Sequence, residues 1–231
     1  MFYITGDTHG IIDIGKIKTF LSTTHVTKDD YLIILGDVCC PRFKHELPYC
    51  EAFRFWEDVP MTVLFIDGNH ENFGQLNKLP VEMWNGGKVH KLSDNLIHLM
   101  RGQVFNIEGK TFFTMGGAVS IDKANRTPYV DWFEEEDCSY AETNEALDNL
   151  KLVNNKVDYV LTHCIGKEFM VRRMSDKMLM YPYAFGSINN FLDYINDVVE
   201  YKKWYFGHYH LDISYENENK ECLYNLIKKI E

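Results

Sequence analysis

Apolar runs rich in β-branched and aromatic residues occupy residues 2–5, 31–35 and 61–66, and glycine or aspartate follows each of them. The stretches between them have a different period. Ile14, Ile17 and Leu21 recur at helical spacing behind Asp13, a candidate cap, and Phe53 and Trp56 share one face of a second segment after Pro48. Strands apolar throughout, separated by helices, predict parallel pairing with both sheet faces covered. That alternation constrains the fold more than any other feature of the chain.

The texture then changes. Between residues 89 and 120 apolar and polar residues alternate, in 95–100, 103–107 and 110–115, with Gly102 and Gly109 at the turns. This predicts an antiparallel meander with one buried face. Ser139 and Glu142 have capping-box spacing ahead of Ala146, Leu147, Leu150 and Val153. Residues 157–162 read as a buried strand and 187–199 as a helix with Phe191, Leu192, Ile195 and Val198 on its apolar face. A strand at 204–206 precedes Gly207, and short strands finish the chain. The sum is an α/β fold with a mixed sheet, in one domain over residues 1–231.

Charge and composition exclude several classes. Lys and Arg number 24 against 34 Asp and Glu, a net charge of −10. Sequence-indifferent coating of nucleic acid rests on cations neutralising phosphates, so it is not expected here. No apolar run approaches the roughly 18 residues of a membrane span, and residues 1–7 lack the charged region and apolar core of a secretory signal. The six cysteines show no framework of spacings. The expectation is a cytoplasmic protein with reduced thiols and no membrane partner.

Five places set metal-ligating side chains just after an apolar strand: Asp7-Thr8-His9, Gly36-Asp37, Gly68-Asn69-His70-Glu71, His163 and Gly207-His208-Tyr209-His210. In an open α/β sheet, ligands bind outside the carboxyl ends of the strands. Strand alternation would point Asp7 and His9 the same way, and likewise His208 and His210. Mixed oxygen and nitrogen donors suit divalent transition metals rather than calcium. Gly6, Gly36, Gly68 and Gly207 fit tight turns that lift those side chains clear of the sheet.

In order and spacing, the series GDTHG, GDV, GNHE, a later histidine after a strand, and GHYH resembles the calcineurin-like metallophosphoesterase superfamily, from Tyr3 to about Tyr215. The resemblance implies an α/β four-layer αββα sandwich, two mixed β-sheets flanked by helices. It also implies two divalent metal ions, manganese foremost, with iron, zinc, nickel or cobalt as alternatives. Residue by residue, one ion would be held by Asp7, His9, Asp37 and His210. The other would be held by Asp37, Asn69, His163 and His208, with Asp37 bridging. His70 would be the catalytic histidine off the metals, able to protonate a leaving alkoxide or stabilise its charge. Two cations about 3.5–4 Å apart clamp the attacking and leaving oxygens of an in-line displacement. The implied activity is hydrolysis of a phosphate ester by metal-bound hydroxide.

GDTHG and GNHE are similar to the phosphoprotein-phosphatase branch, whose second motif continues as Asp-x-x-Asp-Arg-Gly. This chain departs from it with Asp37-Val38-Cys39-Cys40-Pro41-Arg42, placing Cys40 where the carboxylate partner of the catalytic histidine would stand. Arg42, Arg101 and Arg126 are candidate cations for the substrate phosphate, since a guanidinium can bind phosphate through two N–H groups. Residues 167–180 carry Met170, Met174 and Met178 at helical spacing with Arg172, Arg173 and Lys177. They read as an amphipathic helix packing its methionines, with a basic lid as the alternative. No basic groove or aromatic run advertises a polynucleotide. A phosphomonoesterase is therefore preferred to a phosphodiesterase or nuclease acting on nucleotides. A non-catalytic interaction module on the same scaffold is the rival reading. The expected partner is a phosphorylated substrate, whether small molecule, nucleotide or phosphoprotein.

Overall fold

The computed structural model describes residues 1–39, 51–174 and 185–230. Along the chain run β1 (Phe2–Thr5), α1 (Gly15–Thr23), β2 (Tyr31–Ile34), α2 (Glu51–Glu57), β3 (Thr62–Phe65), α3 (Phe73–Leu76), β4 (Val81–Trp84), β5 (Gly87–Lys91) and β6 (Leu96–Leu99). They are followed by β7 (Gln103–Ile107), β8 (Lys110–Met115), α4 (Tyr140–Leu152), β9 (Lys156–Thr162), α5 (Lys167–Arg173) and α6 (Ser187–Val198). Last come β10 (Glu200–Phe206), β11 (Ile213–Tyr215), β12 (Lys220–Cys222) and β13 (Lys228–Ile230).

Two mixed sheets result. One has the order β13-β1-β2-β3-β6-β5-β4, and the other β11-β12-β10-β9-β8-β7. In the first, β1, β2, β3 and β6 are parallel. In the second, β8, β9, β10 and β12 are parallel. Antiparallel strands form the edges of both.

Side-chain alternation explains the layering. Successive residues of a strand face opposite sides of the sheet. Ile33 and Leu35 pack inward with Phe105, Phe112 and Leu161 of the other sheet. Leu32 and Ile34 pack outward with Ile17 of α1 and Trp56 of α2. On the far side, Val160 and Trp204 meet Ala146 and Leu150 of α4 and Leu192 and Ile195 of α6. Three apolar layers thus separate helices, sheet, sheet and helices, and each fully buried Leu, Ile or Phe contributes roughly 1.5–3 kcal/mol. The helix start at 139 is also as expected. Glu142 N donates to Ser139 Oγ while the Glu142 carboxylate accepts from Ser139 N, which closes the capping box.

Five expectations are corrected. Residues 95–115 do not form one meander. β6 ends in the first sheet and β7 begins in the second. The crossing is pinned by Met100 N donating to the Lys88 carbonyl and Gly102 N donating to that of Thr114. β6, between β3 and β5, is buried on both faces, and only β7 shows the expected one-sided burial. Asp13 does not cap α1, whose N-cap is Ile14; the Asp13 carboxylate accepts from His9 Nδ1 at 2.6 Å instead. The helix expected over 167–180 stops at Arg173, with Met174 extended after it; Arg172 and Arg173 are tied to Glu218, and Met170 and Met174 are buried as expected. Lys177 and Met178 lie outside the described residues, as do Cys40 and Arg42. The fourth and fifth corrections, the direction of the candidate metal-ligating side chains and the role of Arg101, belong with the site. Among the described residues no helix is long and apolar enough to cross a membrane.

Candidate metal centre

Every segment singled out for metal chemistry leaves the carboxyl end of a parallel strand. Asp7 and His9 follow β1, Asp37 follows β2, and Asn69 and His70 follow β3; in the other sheet His163 follows β9, and His208 and His210 follow β10. The two edges meet because His163 Nδ1 donates to the Leu35 carbonyl at 2.6 Å across the sandwich.

Strand alternation is not what aims the side chains. The strands end before the donors, and His9, Asp37, His208 and His210 take left-handed backbone conformations with φ of 43°, 53°, 67° and 53°. Such values are uncommon outside glycine and cost on the order of 1–3 kcal/mol each. One consequence corrects the expected like-facing pair. His208 stacks edge-on against His163 with ring centres 4.9 Å apart. His210 turns instead to His9, also 4.9 Å away, and its Nε2 is 3.2 Å from Asp7 Oδ2. Two glycines are forced by close approach. A Cβ on Gly68 would land on the Asp37 carboxylate, and one on Gly36, whose φ is +99°, would land on the His163 ring.

The electrostatics are those of carboxylates competing for imidazoles. Asp7 and Asp37 are 0% and 1% exposed. Burial alone would raise their pKa values, but the His163 charge and hydrogen bonds from His163 and His9 hold Asp37 well below the carboxylate range. Asp7 is held below it by His163 and His210. In return, against the effect of burial, Asp37 and Asp13 raise His9 to about 9. Asp37 and Asp7 likewise raise His163 to about 10. The geometry agrees. His9 points Nδ1 at Asp13 and Nε2 at Asp37 Oδ2, 3.3 Å away. His163 Nε2 donates to Asn69 Oδ1 at 3.1 Å and lies 3.5 Å from Asp37 Oδ2. Carbonyl and carboxylate oxygens only accept, so both rings carry two N–H groups. Burial and the His163 charge push His208 the other way, to about 3.

Asp7 Oδ2 is buried and has no hydrogen bond among the described residues. A carboxylate oxygen in that state is costly unless something positive meets it. Three groups of donor atoms lie within 4.8 Å of one another: Asp7, His9 and His210; Asp7, Asp37 and His163; and His9, Asp37 and His70. Oxygen and nitrogen donors with two carboxylates fit divalent transition metals.

His70 N donates to Asp37 Oδ1 at 2.9 Å. Arg126 brings Nη1 to 3.0 Å from the His70 Nδ1, and is anchored by Asp122 Oδ1 at 2.7 Å and the Asp131 carbonyl at 3.0 Å. A guanidinium only donates, so it favours a bare imidazole nitrogen. Burial lowers the His70 pKa; Asp37 opposes this and the Arg126 charge adds to it.

Arg101 departs from expectation. It is 7% exposed. Nε donates to Asp67 Oδ2, and the remaining N–H groups reach Asp67 and the carbonyls of Glu135, Glu136 and Asp137. Nothing of it is left for a phosphate.

Several contributors escape sequence reasoning. Glu71 accepts from Val38 N, Cys39 N and Gly68 N at 3.0, 2.7 and 3.2 Å, tying the Asp37 loop to the Asn69 loop. Lys16 donates to the carbonyls of Gly6, Asp7 and Tyr224 beneath the Asp7 turn. Only Asp13, four residues after His9, carried a local signal in its spacing.

A family model described as calcineurin-like phosphoesterase matches residues 1–212. Among curated proteins none matches the chain in sequence. Among solved structures, a candidate 5'-nucleotidase from Staphylococcus aureus, in complex with alpha-ketoglutarate, aligns with a TM-score of 0.50 and 14% identity, covering 96% of this chain and 48% of that one. A protein serine/threonine phosphatase from Saccharomyces cerevisiae aligns with a TM-score of 0.35 and 14% identity, covering 96% and 66%. The chain thus spans about half the length of the first, and likeness at that identity concerns the fold.

Proposed function

Because the chain belongs to the calcineurin-like phosphoesterase family, we propose that its one domain, residues 1–231, hydrolyses a phosphomonoester with the help of two divalent metal ions. Asp7, His9, Asp37 and His210 would hold one ion, and Asp37, Asn69, His163 and His208 the other. Mn²⁺ is the first ion to supply, and the cytoplasm the expected compartment. Such ions polarise the phosphoryl oxygens and make water a competent nucleophile near neutral pH.

The observation that carries this reading is Asp7 Oδ2, a buried carboxylate oxygen facing imidazoles with no hydrogen bond of its own among the described residues. The chain's own groups then divide the work. Arg126 Nη2, whose partner is the more distant His70 Nε2 at 3.4 Å, would turn to the terminal phosphate, whose double charge in a monoester rewards a guanidinium more than a diester's single charge does. A phosphate dianion beside His70 makes its imidazolium less costly. The proton needed by the leaving alkoxide would therefore be drawn to His70 as substrate binds, and the neighbouring Asp37 carboxylate supports the same charge. Glu71 and Lys16 keep the loops in place from below.

The test is hydrolysis of p-nitrophenyl phosphate and of its bis ester by chelator-treated protein reloaded with Mn²⁺. Faster cleavage of the monoester is expected. Faster cleavage of the bis ester would reverse the monoesterase assignment. Failure to take up metal and to cleave either ester would favour a non-catalytic module.

A further inference from the structure

The Asn69 carboxamide belongs to a closed circuit of buried polar groups. Its Nδ2 donates to Ser120 Oγ at 3.0 Å. Ser120 Oγ donates in turn to Glu136 Oε2 at 2.5 Å, and Ser120 N donates to Glu136 Oε1 at 2.9 Å. The carbonyls of Glu135, Glu136 and Asp137 accept from Arg101 at 2.8, 3.4 and 2.9 Å. Arg101 grips Asp67 Oδ2 with Nε at 2.7 Å and Nη2 at 2.6 Å. Asp67 lies two residues before Asn69, and its carbonyl accepts from Gly117 N at 2.9 Å, three residues before Ser120. Asp67, Asn69, Ser120, Arg101 and Glu136 are all 7% exposed or less.

A carboxamide has two ends of nearly the same shape and opposite hydrogen-bonding sense. A serine hydroxyl whose proton is committed to a carboxylate presents only lone pairs. It can therefore face the N–H end of Asn69 and not the oxygen. The oxygen is left pointing at His163 Nε2, 3.1 Å away.

We propose that Ser120 and Glu136 are positioning residues that lock the Asn69 carboxamide with its oxygen toward His163, while the Asp67–Arg101 pair holds together the two loops that carry the lock. The inference rests on the reading of this site as a metal centre and concerns its His163 side. With Glu136→Gln the side-chain amide can donate to Ser120 Oγ, which frees the Ser120 proton for Asn69 Oδ1. The flipped carboxamide then turns N–H groups toward the cation position, where they repel it. Supporting partners of this kind alter metal affinity by about 10- to 100-fold.

The experiment is calorimetric titration of the chelator-treated full chain with Mn²⁺ alone, followed by electron paramagnetic resonance. The wild type is expected to bind two ions that couple magnetically. Glu136→Gln and Ser120→Ala are expected to keep one affinity and weaken the other by about 10- to 100-fold, with the signature of an isolated ion at low loading. Ser120→Thr, which retains the hydroxyl, is expected to restore the pair. If Glu136→Gln does not fold, the contrast between Ser120→Ala and Ser120→Thr carries the test. Two unchanged affinities in both variants overturn the lock and leave the metal centre standing. Equal weakening of both sites also overturns it, as general loosening. A wild type that takes up no Mn²⁺ brings down the underlying reading and the lock together.

Discussion

Metal uptake should expel protons, and the imidazoles say how many. Both ring nitrogens of His9 face carboxylates, and both of His163 face oxygens. His9 is held up to about 9 and His163 to about 10, so each carries its extra proton at pH 7. His208, pushed down to about 3, is neutral there, and so is His70. A cation and a proton compete for the same Nε2 lone pair. Filling both positions at pH 7 should therefore release about two protons, and the product of the two affinities should rise about a hundredfold per pH unit. The rise should slacken above pH 9 as His9 titrates and stop above 10 with His163. Any proton lost from a coordinated water adds to the count. The assay is calorimetry of Mn²⁺ binding at pH 7 in buffers of different ionisation enthalpy, where the slope of observed against ionisation enthalpy counts protons. A slope near zero would refute the reasoning, because His9 and His163 would then not be ligands or would not be protonated beforehand.

Asp37→Asn removes the carboxylate shared by two of the three candidate donor groups, and Mn²⁺ stoichiometry should fall below one per chain with loss of hydrolysis; near-normal turnover contradicts a bridging role. His70→Ala should keep both ions and slow hydrolysis about 10²- to 10⁴-fold. Loss of an ion instead would make His70 a ligand, as its grouping with His9 and Asp37 also permits. Arg126→Ala removes a charged donor, worth roughly 1.5–3 kcal/mol. It should lower kcat/KM for phosphomonoesters by about 10- to 100-fold with metal content intact, and an unchanged value would place the phosphate elsewhere. Gly68→Ala drives a Cβ into the Asp37 carboxylate and should cost about 1–3 kcal/mol. At roughly 2–4 °C per kcal/mol, thermal melting detects it.

Much of this protein was readable one segment at a time. The strands at 2–5 and 31–35, the capping box at Ser139 and Glu142, and the place of the candidate donors after β1, β2, β3, β9 and β10 all depend on local order: side-chain period, a cap three residues away, a turn behind a strand. Their parallel arrangement also makes convergence at one edge a topological consequence.

What the tertiary structure decided is which sheet buries a face and which partner satisfies a charge. β6 and β7 follow one another in the chain yet enter different sheets. Arg101 reads like any candidate phosphate binder until Asp67, 34 residues earlier, closes on it. His208 and His210 diverge because the backbone turns left-handed after the strand. Asp13 meets His9, not the start of a helix. Side-chain type and spacing determine what a residue is able to bind. Burial removes water as the default partner, so the choice among binding options falls to groups that only the folded chain brings within reach.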